Sequence, residues 1–373
     1  MPWGEVSIMD QRREFVMLGS LEGANLSELC ARFGISRQTG YKWLGRSRSG
    51  PVDFADRSRR PLRSPNRTAD TIESAVLAVR DAHPAWGARK IACCLARDGT
   101  APPAVSTIHA ILQRHGRVPE RRQTSHSYTR FERPAANQLW QMDFKGQVQI
   151  QPGTWCHPLT VLDDHSRFLV SLESCANQRT QTVKPLLEKA FRFYGLPEAF
   201  YLDNGSPWGG GQPGQWTPLS VWLLKLGIEV IHSRPYHPQG RGKNERFHRT
   251  LAAEVFDLRP LRDLHQAQSA FDAWRPIYNT QRPHEALGMA VPASRYQPST
   301  RPLPKVLPEP EYGPDDVVRR VGTTKLYVSF KGRLWKVPQA FTGERVAIRP
   351  GGEDGQYGIF FGATRIADID LRS

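Results

Sequence analysis

The chain has 373 residues and a mass of 42.2 kDa, more than one average domain and suited to roughly two to four smaller ones. Lysine plus arginine (51) exceed aspartate plus glutamate (36), so the net charge of +15 marks a polyanion binder, with nucleic acid the leading partner and an anionic membrane surface the weaker one. No apolar run approaches the roughly 18 to 20 residues of a bilayer-spanning helix, the N-terminus MPWGEVSIMDQRREF lacks a signal peptide's apolar stretch, and Cys30, Cys93, Cys94, Cys156 and Cys175 form no zinc-type spacing. Free, reduced thiols and a cytoplasmic location are expected.

Residues 1–50 read as a first DNA-binding domain. LSELCARFGISRQTGYKWL (26 to 44) sets Leu29, Phe33, Ile35, Trp43 and Leu44 around a short turn at Gly34, the pattern of a helix-turn-helix. Ser36 is the expected N-cap, with Arg37, Gln38, Thr39 and Lys42 facing a major groove. An ordinary helical hairpin would show the same pattern, and Gly40 inside the second helix costs about 1 kcal/mol relative to alanine. Residues 51–68 are a basic linker: from Gly45 to Arg67, seven arginines face two aspartates with no apolar period.

Residues 69–116 form a second helical DNA-binding domain. Its last helix, within PAVSTIHAILQRHG and capped near Ser106, resembles another recognition helix, with Ser106, Thr107 and His109 toward DNA. Residues 117–137 are a second basic linker.

Residues 138–297 alternate strand and helix. QLWQMDFKG places Trp140, Met142 and Phe144 on one face and Gln141, Asp143 and Lys145 on the other, the period of a strand. HPLTVLDD and RFLVSLES follow as two more strands around the turn DDHSR, completing an antiparallel meander. Then come a helix (180–194), the apolar strand in EAFYLDNG, a helix (about 217–226), the strand IEVIHS, and helices at about 242–256 and 261–278. Residues 298–314 are a stiff proline-rich linker. Residues 315–373 carry short strands with glycine-rich turns, the pattern of a small β-barrel. The expected fold class is thus multidomain: an all-α helix-turn-helix region, an α/β core with a mixed sheet, and a C-terminal β-barrel.

Three acids occupy chemically sensible positions: Asp143 in a strand, Asp203 at the carboxyl end of another, and Glu245 near a helix start. Carboxylates converging without a matching lysine need a divalent cation, and oxygen ligands suit Mg²⁺ or Mn²⁺. Two such ions roughly 4 Å apart serve in-line phosphoryl displacement, and in so basic a chain the phosphates are those of DNA.

DFKG around Asp143, the turn DDHSRF, LDNGSPW around Asp203, YHPQGRGKNERFHRTL around Glu245 and YNTQRPHEALG at 278 to 288 together resemble the core of DDE transposases and retroviral integrases, above all bacterial insertion-sequence transposases. The resemblance spans about residues 10 to 300. It implies a ribonuclease-H-like core in which Asp143 bridges two ions while Asp203 and Glu245 each hold one. It implies cleavage at element ends, joining of 3′-OH ends to target DNA, multimerisation on DNA, and a nucleoid-associated place in a bacterial cytoplasm.

The chain departs from that group in two places. Forty-one residues separate Asp203 from Glu245, more than is common, with the excess assigned to WGGGQPGQW, a loop extension that costs little. Ala252 stands seven residues after Glu245, where many relatives carry Lys or Arg, so Arg249 is the expected substitute. His237, Arg241, Lys243, His248 and Arg249 are further candidate DNA contacts, although a loop or solvent role explains His237 and His248 equally well. Asp163 and Asp164 read as turn residues, and Tyr278, Asn279, Arg282, Pro283 and His284 as packing for the last helix. A nuclease without strand transfer, or a DNA-binding regulator, remains open as an alternative.

Overall fold

The computed structural model describes residues 7–48, 54–56, 67–118, 132–209, 215–232 and 242–372. The chain divides into two compact units, Met1–Arg67 and Thr68–Ser373. In the first, α1 (Ile8–Gly19), α2 (Leu26–Arg32) and α3 (Arg37–Arg48) enclose Phe15, Val16, Cys30, Trp43 and Leu44. Each start is capped by a side-chain oxygen: Ser7 accepts from the Asp10 amide, Asn25 from the Ser27 and Glu28 amides, and Ser36 from the Thr39 amide at 3.2 Å. The turn between α2 and α3 passes through Gly34 at a φ of 62°, where a side chain would be strained. Phe54 stacks on Trp43, and Arg12 donates to the Phe54 carbonyl at 2.7 Å while pairing with Asp56 at 3.0 Å.

Gly40 has a packing reason that local propensity hides. It is buried where α3 crosses α1 and α2, and a Cβ there would meet Cys30 Sγ at 2.6 Å and Phe15 Cζ at 2.9 Å.

The second unit begins with α4 (Asp70–Ala82), α5 (Ala88–Arg97) and α6 (Val105–Arg114), packed around Val76, Ile91, Leu95, Ile108, Ile111 and Leu112. The expected cap at Ser106 is displaced: α6 starts at Val105, its N-cap is Ala104, and no side chain caps it. Pro102 and Pro103 precede that cap, and proline's fixed φ and missing amide keep a helix from extending back through them. Glu73 is buried in α4 and accepts from Arg114 and His115; the His115 contact, with the Arg114 charge, holds its carboxyl below the usual range.

The central sheet contains β1 (Trp140–Phe144), β2 (Val148–Gln151), β3 (Thr154–Asp163), β4 (Leu169–Cys175), β5 (Ala199–Leu202) and β6 (Glu229–His232). β1 and β2 pair with successive stretches of β3, interrupted where Gly146 takes a φ of 92°. β3 pairs with β4 antiparallel, β5 with β1 parallel, and β6 with β5 parallel. This is the expected meander extended by two parallel strands, the ribonuclease-H-like arrangement.

Helices cover both faces. α7 (Thr180–Tyr194) and α8 (Pro218–Lys225) pack over Trp140, Met142, Phe144, Phe200 and Leu202. On the other face lie α9 (Gly242–Leu251), which runs on into a π-helical turn (Ala252–Phe256), and α10 (Leu264–Pro276). Asn279, in the turn after α10, accepts from the Leu169 amide at 2.8 Å and donates to the Leu169 carbonyl at 3.0 Å, so this segment closes against the sheet as its sequence suggested.

The C-terminal strands do not close into a single barrel. β7 (Val317–Arg320), β10 (Arg345–Pro350), β11 (Gln356–Phe361) and β12 (Thr364–Asp370) form a four-stranded antiparallel sheet, and β8 (Tyr327–Phe330) with β9 (Arg333–Lys336) forms a separate hairpin. Sheet and hairpin share one core, which Val221 of α8 completes.

Gly40→Ala tests the packing of the first unit. Propensity alone predicts a gain of about 1 kcal/mol, whereas forcing a methyl into a filled core costs about 1 to 3 kcal/mol. The expected outcome is net destabilisation of α1 to α3, read as faster amide exchange there; slower exchange would overturn it.

Candidate active site

The parallel pairing of β1 with β5 matches Trp140 to Phe200 and Gln141 to Tyr201. Continued for two residues, that register sets Asp143 level with Asp203 at the carboxyl ends of adjacent strands, which lie about 4.8 Å apart. Both acids are half-buried. Opposite Asp143 on β3 stands Thr160, whose hydroxyl donates to the Asp143 carbonyl at 2.9 Å. That hydroxyl therefore accepts from His248 Nε2 at 3.1 Å, so the imidazole carries its proton there. Burial, with the Lys145 charge, pushes the His248 pKa down to about 4, and the ring is neutral.

Asp203 follows β5 directly and opens a tight loop. Its Oδ1 accepts from the Gly205 amide at 2.8 Å and from the indole N–H of Trp208. Its carbonyl accepts from His232 Nδ1 at 3.0 Å, at the end of the neighbouring β6.

Glu245 lies in the first turn of α9 and is exposed. Phe247, Leu251 and Val255 are buried against the sheet, as their spacing predicts, and Glu245 and Arg249 project away from them. His248 does not share that outer side. One residue is 100° of helix, so His248 flanks Phe247 and turns inward to Thr160 instead of outward to DNA. Ala252 opens the π-helical turn and is half-buried.

The start of α9 is fastened by a contact that sequence reasoning missed. The ammonium of Lys243 pairs with Asp164, whose carboxylate is fully buried and also accepts from Gln141 Nε2 at 2.6 Å and the Arg133 amide at 2.8 Å. Lys243, expected at DNA, is half-buried, and burial pushes its pKa down. Asp163 is sealed as well, accepting from the Ser166 amide (2.8 Å), the Ser166 hydroxyl (2.6 Å) and the Asn137 amide (2.7 Å). The turn reading therefore holds for Asp163, whereas Asp164 also ties α9 to the strand of Asp143. The pairing of Lys243 with a turn acid 79 residues away leaves no local pattern to detect.

The donor chemistry at the two strand ends and on α9 is carboxylate oxygen, which fits a hard divalent cation. Among the described residues no three His, Cys, Asp or Glu side chains stand at spacing to share one ion.

Of the other candidate contacts, Arg37, Gln38 and Lys42 are exposed along α3, while Thr39 is half-buried and bonded to Ser36 at 3.0 Å between hydroxyls. Ser106 and His109 are exposed on α6 and Thr107 is half-buried. His237 and Arg241 lie outside the described residues.

Residues 133–238 and 226–292 match integrase core domains, and residues 316–373 match the C-terminal domain of IS481 family transposases. Residues 11–61 match a helix-turn-helix domain and residues 39–112 a homeodomain-like domain. Over 159 residues the chain is 28% identical to the insertion element IS407 uncharacterized 31.7 kDa protein of Burkholderia multivorans, covering 43% of this chain and 55% of that protein. Over 157 residues it is 29% identical to the insertion element IS476 uncharacterized 39.2 kDa protein of Xanthomonas euvesicatoria, covering 42% and 43%. The chain thus spans about half the length of the curated relatives it matches. A chain of the simian T-cell lymphotropic virus intasome, in complex with the PP2A regulatory subunit B56 gamma, aligns over 78% of this chain and 99% of its own at 16% identity and a TM-score of 0.38.

These matches define residues 133–292 as an integrase core domain. Within that region the chain resembles insertion-sequence transposases, and residues 316–373 match the C-terminal domain of the IS481 family. No described helix is long and apolar enough to cross a membrane.

Asp164→Ala leaves Lys243 half-buried without its counter-charge, and breaking such a pair costs about 3 to 5 kcal/mol. Urea unfolding should show a loss of that size; an unchanged midpoint would mean that Asp164 does not hold α9. A second expectation concerns pH. An unfolded histidine takes up a proton below 6.5, but His248 in the fold does so only near 4, so its contribution to stability is lost as pH falls through that window. His284, pushed down to about 3 by burial, acts in the same direction. His248→Gln should flatten part of the decline in unfolding free energy between pH 6.5 and 4, and an identical slope would refute it.

Proposed function

We propose that this chain cleaves DNA at the ends of an insertion element and joins the freed 3′-OH ends to target DNA, both by phosphoryl transfer at Asp143, Asp203 and Glu245. The observation that supports this reading is the parallel pairing of β1 with β5, whose register, continued two residues past Gln141 and Tyr201, brings Asp143 level with Asp203. Ligands collect at such strand ends in open α/β sheets.

Two bound Mg²⁺ or Mn²⁺ ions would activate the attacking oxygen and stabilise the leaving one. Asp143, Asp203 and Glu245 would hold them. The chain's own part is to fix these oxygens. Thr160 clamps the Asp143 backbone, the Gly205 amide and Trp208 indole orient Asp203, and Lys243 fastens the turn before Glu245.

DNA would be read by α3 and α6 and held near the site by Arg249, His237 and Arg241. Arg249 is exposed one turn from Glu245 and would replace the cation absent at Ala252. The division into domains at 1–50, 69–116, 138–297 and 315–373, with linkers between, belongs to this proposal, as do contacts of the C-terminal domain to DNA or partners. Two element ends must meet, so a homo-oligomer on DNA is part of it.

Asp143→Asn, Asp203→Asn and Glu245→Gln are each expected to reduce cleavage and joining below detection, while retention of labelled element ends in a gel shift stays within about twofold of the parent. Joining by any one variant would remove that residue from the site. Cleaved ends that never join to plasmid, with the parent chain and either metal, would select a nuclease instead.

A further inference from the structure

Trp208 is fully buried, yet its one polar atom is committed to the carboxylate of Asp203. Its ring stacks on Phe144, the residue after Asp143, with centroids 5.3 Å apart and planes 14° from parallel. One side chain therefore touches both strand ends, by an apolar face at β1 and an N–H at the residue following β5. The loop that delivers it is closely fitted. Gly209 donates to the Gly205 carbonyl at 2.7 Å, and a Cβ on Gly209 would stand 2.4 Å from the Asn204 carbonyl oxygen, so the backbone returns beneath Asp203 only with glycine there.

The geometry points to Trp208 as a positioning residue for Asp203: its indole N–H fixes the carboxylate rotamer so that one oxygen is held by protein donors and the carboxylate plane is set for an ion. The inference rests on the proposed role of Asp203 in metal binding. An indole N–H donates and never accepts, so it cannot itself take a metal. A hydrogen bond to an ionised oxygen is roughly twice as strong as one between neutral groups, and partners that orient a ligand typically change metal affinity about 10- to 100-fold. Phenylalanine in the same place would keep the stack on Phe144 and lose the hydrogen bond, which separates packing from positioning.

The test uses the full chain as parent, Trp208→Phe and Asp203→Asn. Indole N–H resonances are recorded without metal, Mn²⁺ binding is measured by calorimetry, and joining is assayed against Mn²⁺ concentration. In the parent, one indole proton should lie downfield, broaden on adding Mn²⁺, and be missing from Trp208→Phe. In Asp203→Asn it should move upfield, since the acceptor has lost its charge. Trp208→Phe should melt within a few degrees of the parent, bind Mn²⁺ about tenfold or more weakly, and recover joining when Mn²⁺ is raised, with its KM for DNA unchanged.

An indole resonance indifferent to Asp203→Asn would overturn the proposal even if Trp208→Phe failed to fold. So would parental Mn²⁺ affinity in a folded Trp208→Phe. Asp203→Asn that still bound Mn²⁺ and joined ends would instead overturn the reading of the site on which this rests.

Discussion

Two adjacent buried carboxylates organise the core. Asp163 and Asp164 end β3 and begin the turn to β4, and both are sealed from solvent. A charge in that position is destabilising by several kcal/mol unless donors surround it, so the turn imposes its requirements on distant segments. Ser166 and Asn137 close on Asp163, while Gln141, the Arg133 amide and Lys243 converge on Asp164. These partners come from the approach to β1, from β1 itself and from α9. The demand of one turn for hydrogen bonds thus fixes the strand of Asp143 against the helix of Glu245.

A second contact runs parallel to it. Thr160 stands across from Asp143 and joins that residue's backbone to His248 on α9. Lys243 and His248 bracket Glu245 in the sequence, and both bond to β3 or its turn. The helix is therefore held on either side of its acid while the acid itself is left exposed. Apolar packing by Phe247, Leu251 and Val255 gives α9 its depth against the sheet, but packing alone is non-directional. The two polar contacts set its rotation and its position along the strand.

Strong periodicity made most elements legible. Alternation in QLWQMDFKG, the apolar run ending at Asp203 and the fourfold spacing from Phe247 to Val255 each read through to a strand or a buried helix face. The proposed acids were picked out by residue type and by order along the chain. What escaped was set by tertiary contact. Gly40 looked like a weak point because its fit against Cys30 and Phe15 is not written locally. His248, a candidate DNA contact by its sequence, turns instead to one acceptor on β3, the Thr160 hydroxyl. Trp208 sat inside a quoted motif without a role, since only the folded loop brings its nitrogen to Asp203. β7 lacked an apolar alternation, its burial being partial and its last two residues exposed arginines.

Exposure divides the acids of this core into two kinds. Asp163 and Asp164 have donors on every side and are closed to water, so they can neither take up an ion nor reach a phosphate. Asp143 and Asp203 are half-buried at strand ends and Glu245 is exposed in the first turn of α9. Protein donors satisfy the first pair, whereas Glu245 faces solvent in a chain of net +15. The lysine nearest Glu245 in α9 is committed to the first pair, its ammonium held by Asp164.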